Sequence, residues 1–98
     1  MSNKIMMAFQ VLPKVEEERL FEVVDEAIAV VAASGVKYEV GPMETTMEGE
    51  PDQLWAIIRQ AQDACVKAGA SRVLTYIKMD YNPGLTTIDE KIHKYRAK

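Results

Sequence analysis

GPMETTMEGE, residues 41–50, stands between two amphipathic segments. Gly41-Pro42 breaks the pattern before it, and Glu50-Pro51 closes it where a helical pattern begins. Within it Thr45 to Glu50 reads as a strand, with Thr45, Met47 and Gly49 on one side and Thr46, Glu48 and Glu50 on the other. So little bulky apolar content makes a poor core strand. Its threonine and glutamate side chains are better suited to recognising something polar.

The segment just before it, Val36 to Met43, reads as a strand with Val36, Tyr38 and Val40 on one side and Lys37 and Glu39 on the other. Gly41-Pro42 then forms a bulge or a tight connection. Further back, Val15 to Ser34 reads as a helix, because Leu20, Val23, Val24, Ala27, Ile28 and Val31 recur at helical spacing. Glu16, Glu17 and Glu18 crowd its start, where the helix dipole favours them, and Gly35 stands where a cap belongs. The opening strand is Lys4 to Leu12, apolar on both faces: Ile5, Met7, Phe9 and Val11 against Met6, Ala8, Gln10 and Leu12. Pro13 ends it.

On the other side, Pro51 opens a second helix whose stripe is Leu54, Ile57, Ile58, Ala61, Cys65 and Ala68, with Gly69 as its cap. Ser71 to Tyr81 reads as the last strand, with Val73, Thr75, Ile77 and Met79 alternating against Arg72, Leu74, Tyr76, Lys78 and Asp80. Asn82-Pro83-Gly84 is a turn signal, and Thr87 to Glu90 is a capping-box pattern for a short C-terminal helix.

The order strand, helix, strand, strand, helix, strand predicts an α+β, ferredoxin-like βαββαβ sandwich. A four-stranded antiparallel sheet would carry both helices on one face, in a single domain over residues 1–98. The other face, with Met6, Ala8, Leu74 and Tyr76, would then be apolar and bare, which soluble monomers rarely tolerate. Two sheets are therefore expected to stack face to face between subunits. Gln10, Thr46, Glu48 and Lys78 would be trapped there and must pair, hold water or bind a ligand, since each buried unpaired group costs about 1–3 kcal/mol.

The totals narrow the function further. A net charge of -3 disfavours a nucleic-acid groove. Cys65 is the single cysteine, so no intrachain disulfide forms and a reducing, cytoplasmic setting is expected. No apolar run approaches the ~20 residues of a membrane span. The single histidine, His93, lies in the tail, and no metal-ligand or nucleophile–base spacing appears. An acyl-phosphate hydrolase on this fold would need an arginine and an asparagine around an anion-cradling loop. The loop Leu12-Pro13-Lys14-Val15 has neither, so no enzyme is expected.

YEVGPMETTMEGE, residues 38–50, together with GASRVLTYIKMD, residues 69–80, resembles the YkoF-like thiamine-binding family of small ferredoxin-like proteins. The strand ending at Pro13 and the Thr87–Lys91 segment fit as well, so the likeness covers nearly the whole chain. It implies a homodimer, often paired as a dimer of dimers, that binds thiamine or its hydroxymethylpyrimidine part without catalysis and without a further cofactor. By position it implicates Gly41, Pro42, Met43, Thr45, Thr46, Glu48 and Gly49, then Lys78 and Asp80. Where the family continues with basic residues this chain has Tyr81-Asn82-Pro83-Gly84, so thiamine phosphates are not expected.

The expected ligand-binding set is Gln10, Tyr38, Met43, Thr45, Thr46, Glu48, Lys78 and Asp80. Its chemistry suits an aminopyrimidine: hydroxyls and an amide donate and accept, and a carboxylate accepts. Met43, Met47, Tyr38 or Tyr76 could wall a flat ring, and a carboxylate or aromatic face favours a thiazolium cation. The competing reading is a structural or regulatory homo-oligomer with no metabolite ligand.

Overall fold

A computed structural model describes residues 4–82. The strands are β1 (Ile5–Pro13), β2 (Lys37–Val40), β3 (Thr45–Gly49) and β4 (Val73–Asp80), and the helices are α1 (Leu20–Ala33) and α2 (Pro51–Lys67). The strands form one antiparallel sheet in the order β2-β3-β1-β4. This is the expected ferredoxin-like α+β fold. The expected C-terminal helix and the Asn82-Pro83-Gly84 turn lie at or beyond the limit of the described residues.

Period two along β1 sorts the protein into layers. Ile5, Met7, Phe9 and Val11 join Val23, Ala27 and Val31 of α1 and Leu54, Ile57, Ile58, Ala61 and Cys65 of α2 in one core. Both helices therefore lie on that side. Met6, Ala8, Gln10 and Leu12 face the other, which we term the open face.

The stretch 41–50 differs from its expected character. β3 is an interior strand, and its helix-facing residues Thr45 and Met47 are fully or nearly fully buried. Small residues make this possible. A Cβ on Gly49 would lie 3.2 Å from Leu54 Cδ2 and 3.5 Å from Val36 Cγ1, so the glycine lets α2 seat closely on the sheet. The strand before it is shorter than expected, ending at Val40 rather than Met43. The Gly41 N–H donates to the Glu44 carbonyl at 2.8 Å, closing a tight hairpin around Pro42 and Met43.

Helix α1 also starts later than its pattern predicts. Glu17–Arg19 form a single 3-10 turn first. Arg19 then leaves its own helix: Nη2 donates to the Ala68 carbonyl at 2.6 Å, satisfying one of the orphan acceptors at the end of α2. The cost falls on Gly69, which has φ +114 and would place a Cβ 2.7 Å from Arg19 Nη1. Gly35 also has positive φ, at 85, but nothing lies within 4 Å of its Cβ position. Gly35→Ala should thus cost only the backbone penalty, about 1–2 kcal/mol. Gly69→Ala should cost more, because it also dislodges the Arg19 cap. Urea unfolding of the two variants side by side measures the difference.

Candidate ligand site

The open face is not uniformly bare. Met6 and Ala8 are 9% and 8% exposed, with no second protomer present. Their neighbours explain it: Met6 lies between Glu48 and Asp80, and Ala8 between Thr46 and Lys78. Long polar side chains on both flanking strands shield the small and flexible ones on β1. The exposed apolar surface on this face is instead at the opposite end of the sheet, where Leu12 pairs with Leu74 and Gln10 with Tyr76. Leu12, Leu74 and Tyr76 are 40%, 42% and 58% exposed.

Over the shielded Met6 and Ala8 the face holds a cavity of about 720 Å³. Ala8 and Met6 form its floor, Thr46 and Glu39 one side, and Lys78 and Asp80 the other, with the Gly41–Glu44 hairpin along its edge. The hairpin is tied down by an ion pair: Lys78 Nζ lies 3.0 Å from Glu44 Oε2. This contact reaches from β4 past β1 to the start of β3. Both groups are partly solvated, so it is worth at most about 1 kcal/mol and can open for a ligand.

Of the residues expected from sequence, Gln10, Met43, Thr46, Lys78 and Asp80 line this cavity. The β2–β3 register pairs Tyr38 with Met47 and Glu39 with Thr46. Tyr38 and Thr45 are therefore on the helix side of the sheet, and Thr45 borders a smaller recess of about 240 Å³ near α1. Glu48 is on the open face, next to Met6 rather than in the cavity lining. Met47 is fully buried on the helix side and so cannot wall a ring on the open face. Glu39 and Glu44 belong to the lining and were not in the expected set. Alternation alone placed Glu39 on the same face as Lys37, so its signal was present. Glu44 depends on how the hairpin closes, which the sequence does not spell out.

Three carboxylates, Glu39, Glu44 and Asp80, and one ammonium, Lys78, border the cavity, so its field favours a cation. Thr46 and Gln10 add neutral groups that both donate and accept. Among the described residues no group of three or more His, Cys, Asp or Glu could hold a metal. No helix among them is long and apolar enough to cross a membrane.

Cys65 belongs to the core, not to this site. It is fully buried, and its Sγ lies 3.9 Å from the Val23 carbonyl. Burial pushes its thiol up from the ordinary value of 9.0. The neutral thiol is the form the fold accommodates. Its contribution to stability is therefore whole below about pH 9 and is lost as pH rises through the folded-state value. A thiol reagent at neutral pH should label the native protein only as fast as the core opens, and labelling that accelerates with urea would show it.

Comparisons with known proteins give the family and the fold. The profile of a family described as "Thiamine-binding protein" matches residues 7–96. A UPF0045 protein of Clostridium perfringens is 51% identical over 90 residues, covering 92% of this chain and 95% of that one. A solved Bacillus cereus structure, described as a domain of unknown function DUF77, superposes with a TM-score of 0.91 at 52% identity, covering 98% of this chain and 93% of that one. A Thermotoga maritima structure provisionally assigned to thiamine biosynthesis/salvage has a TM-score of 0.87 at 39% identity, covering 95% and 99%. With its sheet order, its helix-covered face and nearly its whole length accounted for, the chain belongs to the thiamine-binding protein family.

Proposed function

We propose that this protein is a non-catalytic binder of thiamine or its hydroxymethylpyrimidine part, acting in a reducing compartment such as the cytoplasm. The ligand sits in the open-face cavity beside the 41–44 hairpin. The observation that carries this reading is the cavity's lining: a small apolar floor at Ala8, with carboxylates outnumbering the one ammonium around it. Glu39 or Asp80 accepts from an exocyclic amine, Thr46 and Gln10 serve ring nitrogens, and Met43 lies against the ring. Thr45 and Tyr38 act from behind the sheet, holding Thr46 and Glu39 in place, and Glu48 borders the floor beside Met6. The excess of carboxylates favours the thiazolium of intact thiamine.

A second copy closes the site. The exposed Leu12, Leu74 and Tyr76 lie at the hairpin's end of the strands but on the β1–β4 side of the open face, so two sheets can press together there and leave the cavity between them. Isothermal titration and melting shifts with thiamine and with hydroxymethylpyrimidine test the proposal, because a ligand that binds only the native state raises the melting temperature. Absence of heat and of any shift at millimolar concentrations of both would leave the structural homo-oligomer as the better reading.

A further inference from the structure

Among the described residues Lys78 is the one cation in the cavity lining, and its reach decides how the floor is used. Ala8 lies opposite Lys78 on one side and opposite Thr46 on the other. Two inter-strand spacings, about 10 Å, therefore separate β4 from β3. Glu44 stands two residues before Thr46, so continuing the register puts it opposite Gln10 rather than Ala8. Lys78 Nζ nevertheless lies 3.0 Å from Glu44 Oε2. A lysine standing upright from β4 falls short of that carboxylate. The two side chains must lean along the sheet and meet over β1, crossing it diagonally between Ala8 and Gln10. The small methyl of Ala8 leaves that crossing clear.

The two partners differ in freedom. Glu44 belongs to the hairpin, where its carbonyl accepts the Gly41 N–H at 2.8 Å. The turn is tight there, since a Cβ on Gly41 would lie 3.0 Å from the same carbonyl oxygen. The Glu44 side chain is 35% exposed against 73% for Lys78. Lys78 has a flexible four-carbon stem, and its ammonium keeps most of its water. An exchange at this bridge therefore moves the lysine and leaves the carboxylate in place.

We infer that, given the open-face site proposed for thiamine, Lys78 is a specificity-determining residue: it holds the cation position on Glu44 until a positively charged ligand ring replaces it. Before binding, its ammonium neutralises Glu44 and its stem crosses the space above the floor. A thiazolium gives Glu44 a new cation in return for the lysine it displaces. Hydroxymethylpyrimidine, smaller and neutral, has no charge to offer and binds beside the intact bridge in a cavity of about 720 Å³. The bridge thus acts on one ligand and not on the other, which makes it a selector of charge.

Calorimetric titration of both compounds, at a pH where the free pyrimidine is neutral, into a double-mutant cycle tests this. Lys78→Gln keeps a polar side chain and removes the charge. It should raise the thiamine-to-hydroxymethylpyrimidine affinity ratio by about fivefold, the scale of a partly solvated ion pair. In a Glu44→Gln background the same substitution should move the ratio by less than about twofold, because the bridge is already gone. Where thiamine alone gives measurable heat, its own affinity is read in place of the ratio. A rise of equal size in both backgrounds reports a general field of the lysine charge and overturns the inference. So does a ratio left unchanged or lowered by Lys78→Gln in the chain that keeps Glu44, the result expected if Lys78 donates to the ligand directly. A parent that binds hydroxymethylpyrimidine alone overturns it too. Urea midpoints near the parent's establish that the variants are folded. A folded parent that binds neither compound ends the functional reading and this role of Lys78 with it, whereas a parent that binds both with an unmoved ratio ends only the role of Lys78.

Discussion

Met47→Ala is expected to destabilise the protein by about 2–5 kcal/mol while leaving ligand affinity within about twofold. Met47 is fully buried and lies beside Met7, also fully buried, in the register of β3 with β1. Truncation removes its dispersion contacts and leaves a cavity between the sheet and the helices, in a place where Leu54 and Gly49 already pack tightly. A domain of this size has a total stability of only about 5–15 kcal/mol, so the midpoint of urea unfolding should fall steeply with an unchanged slope. The informative feature is the contrast with the next residue. Thr46 lies on the open face and lines the cavity. Thr46→Val, which keeps the shape and removes the hydroxyl, should weaken ligand binding and barely change the unfolding midpoint. If Met47→Ala instead weakened binding with little loss of stability, the ligand would have to lie on the helix side of the sheet.

That contrast also shows how far the sequence was readable. The pairing of buried and open positions along β1 and β3 follows from period two, and the sheet order follows from two helical stripes alternating with strands. The chemical character of β3 did not follow. Thr45 and Gly49 look too small for a core face, yet α2 comes close enough to bury this side of β3 because Gly49 has no side chain. Sequence shows the missing Cβ but not what approaches it. The same limit applies to Met6 and Ala8. Their bareness was an inference from hydropathy, and the flanking Glu48, Asp80, Thr46 and Lys78 shield them through cross-strand neighbours a long way off in sequence. Strand register also separates Tyr38 and Thr45 from the cavity and brings Glu39 into it. A functional motif that runs along a strand necessarily divides between two faces, and only one of them can meet a given ligand.

The largest effect on binding is expected at Ala8. Its side chain forms the cavity floor, 8% exposed between Thr46 and Lys78, and it points away from the helices. Ala8→Phe places a ring where the ligand would lie, and the helix-facing core of Met7 and Phe9 is untouched because neighbours on a strand point to opposite sides. Aromatic residues are also favoured in strands, so the fold should tolerate the change, with an unfolding midpoint near that of the parent. Affinity for whichever of thiamine and hydroxymethylpyrimidine binds the parent chain should fall by about 100-fold or more, equivalent to about 2.8 kcal/mol. Ala8→Ser, which adds one hydroxyl and little volume, should stay within about threefold and shows that loss comes from occupancy rather than from any change at the position. Titration calorimetry on both variants decides it. Parent-like affinity in a folded Ala8→Phe chain would place the ligand elsewhere on the molecule, and the recess of about 240 Å³ beside α1 would be the next region to probe.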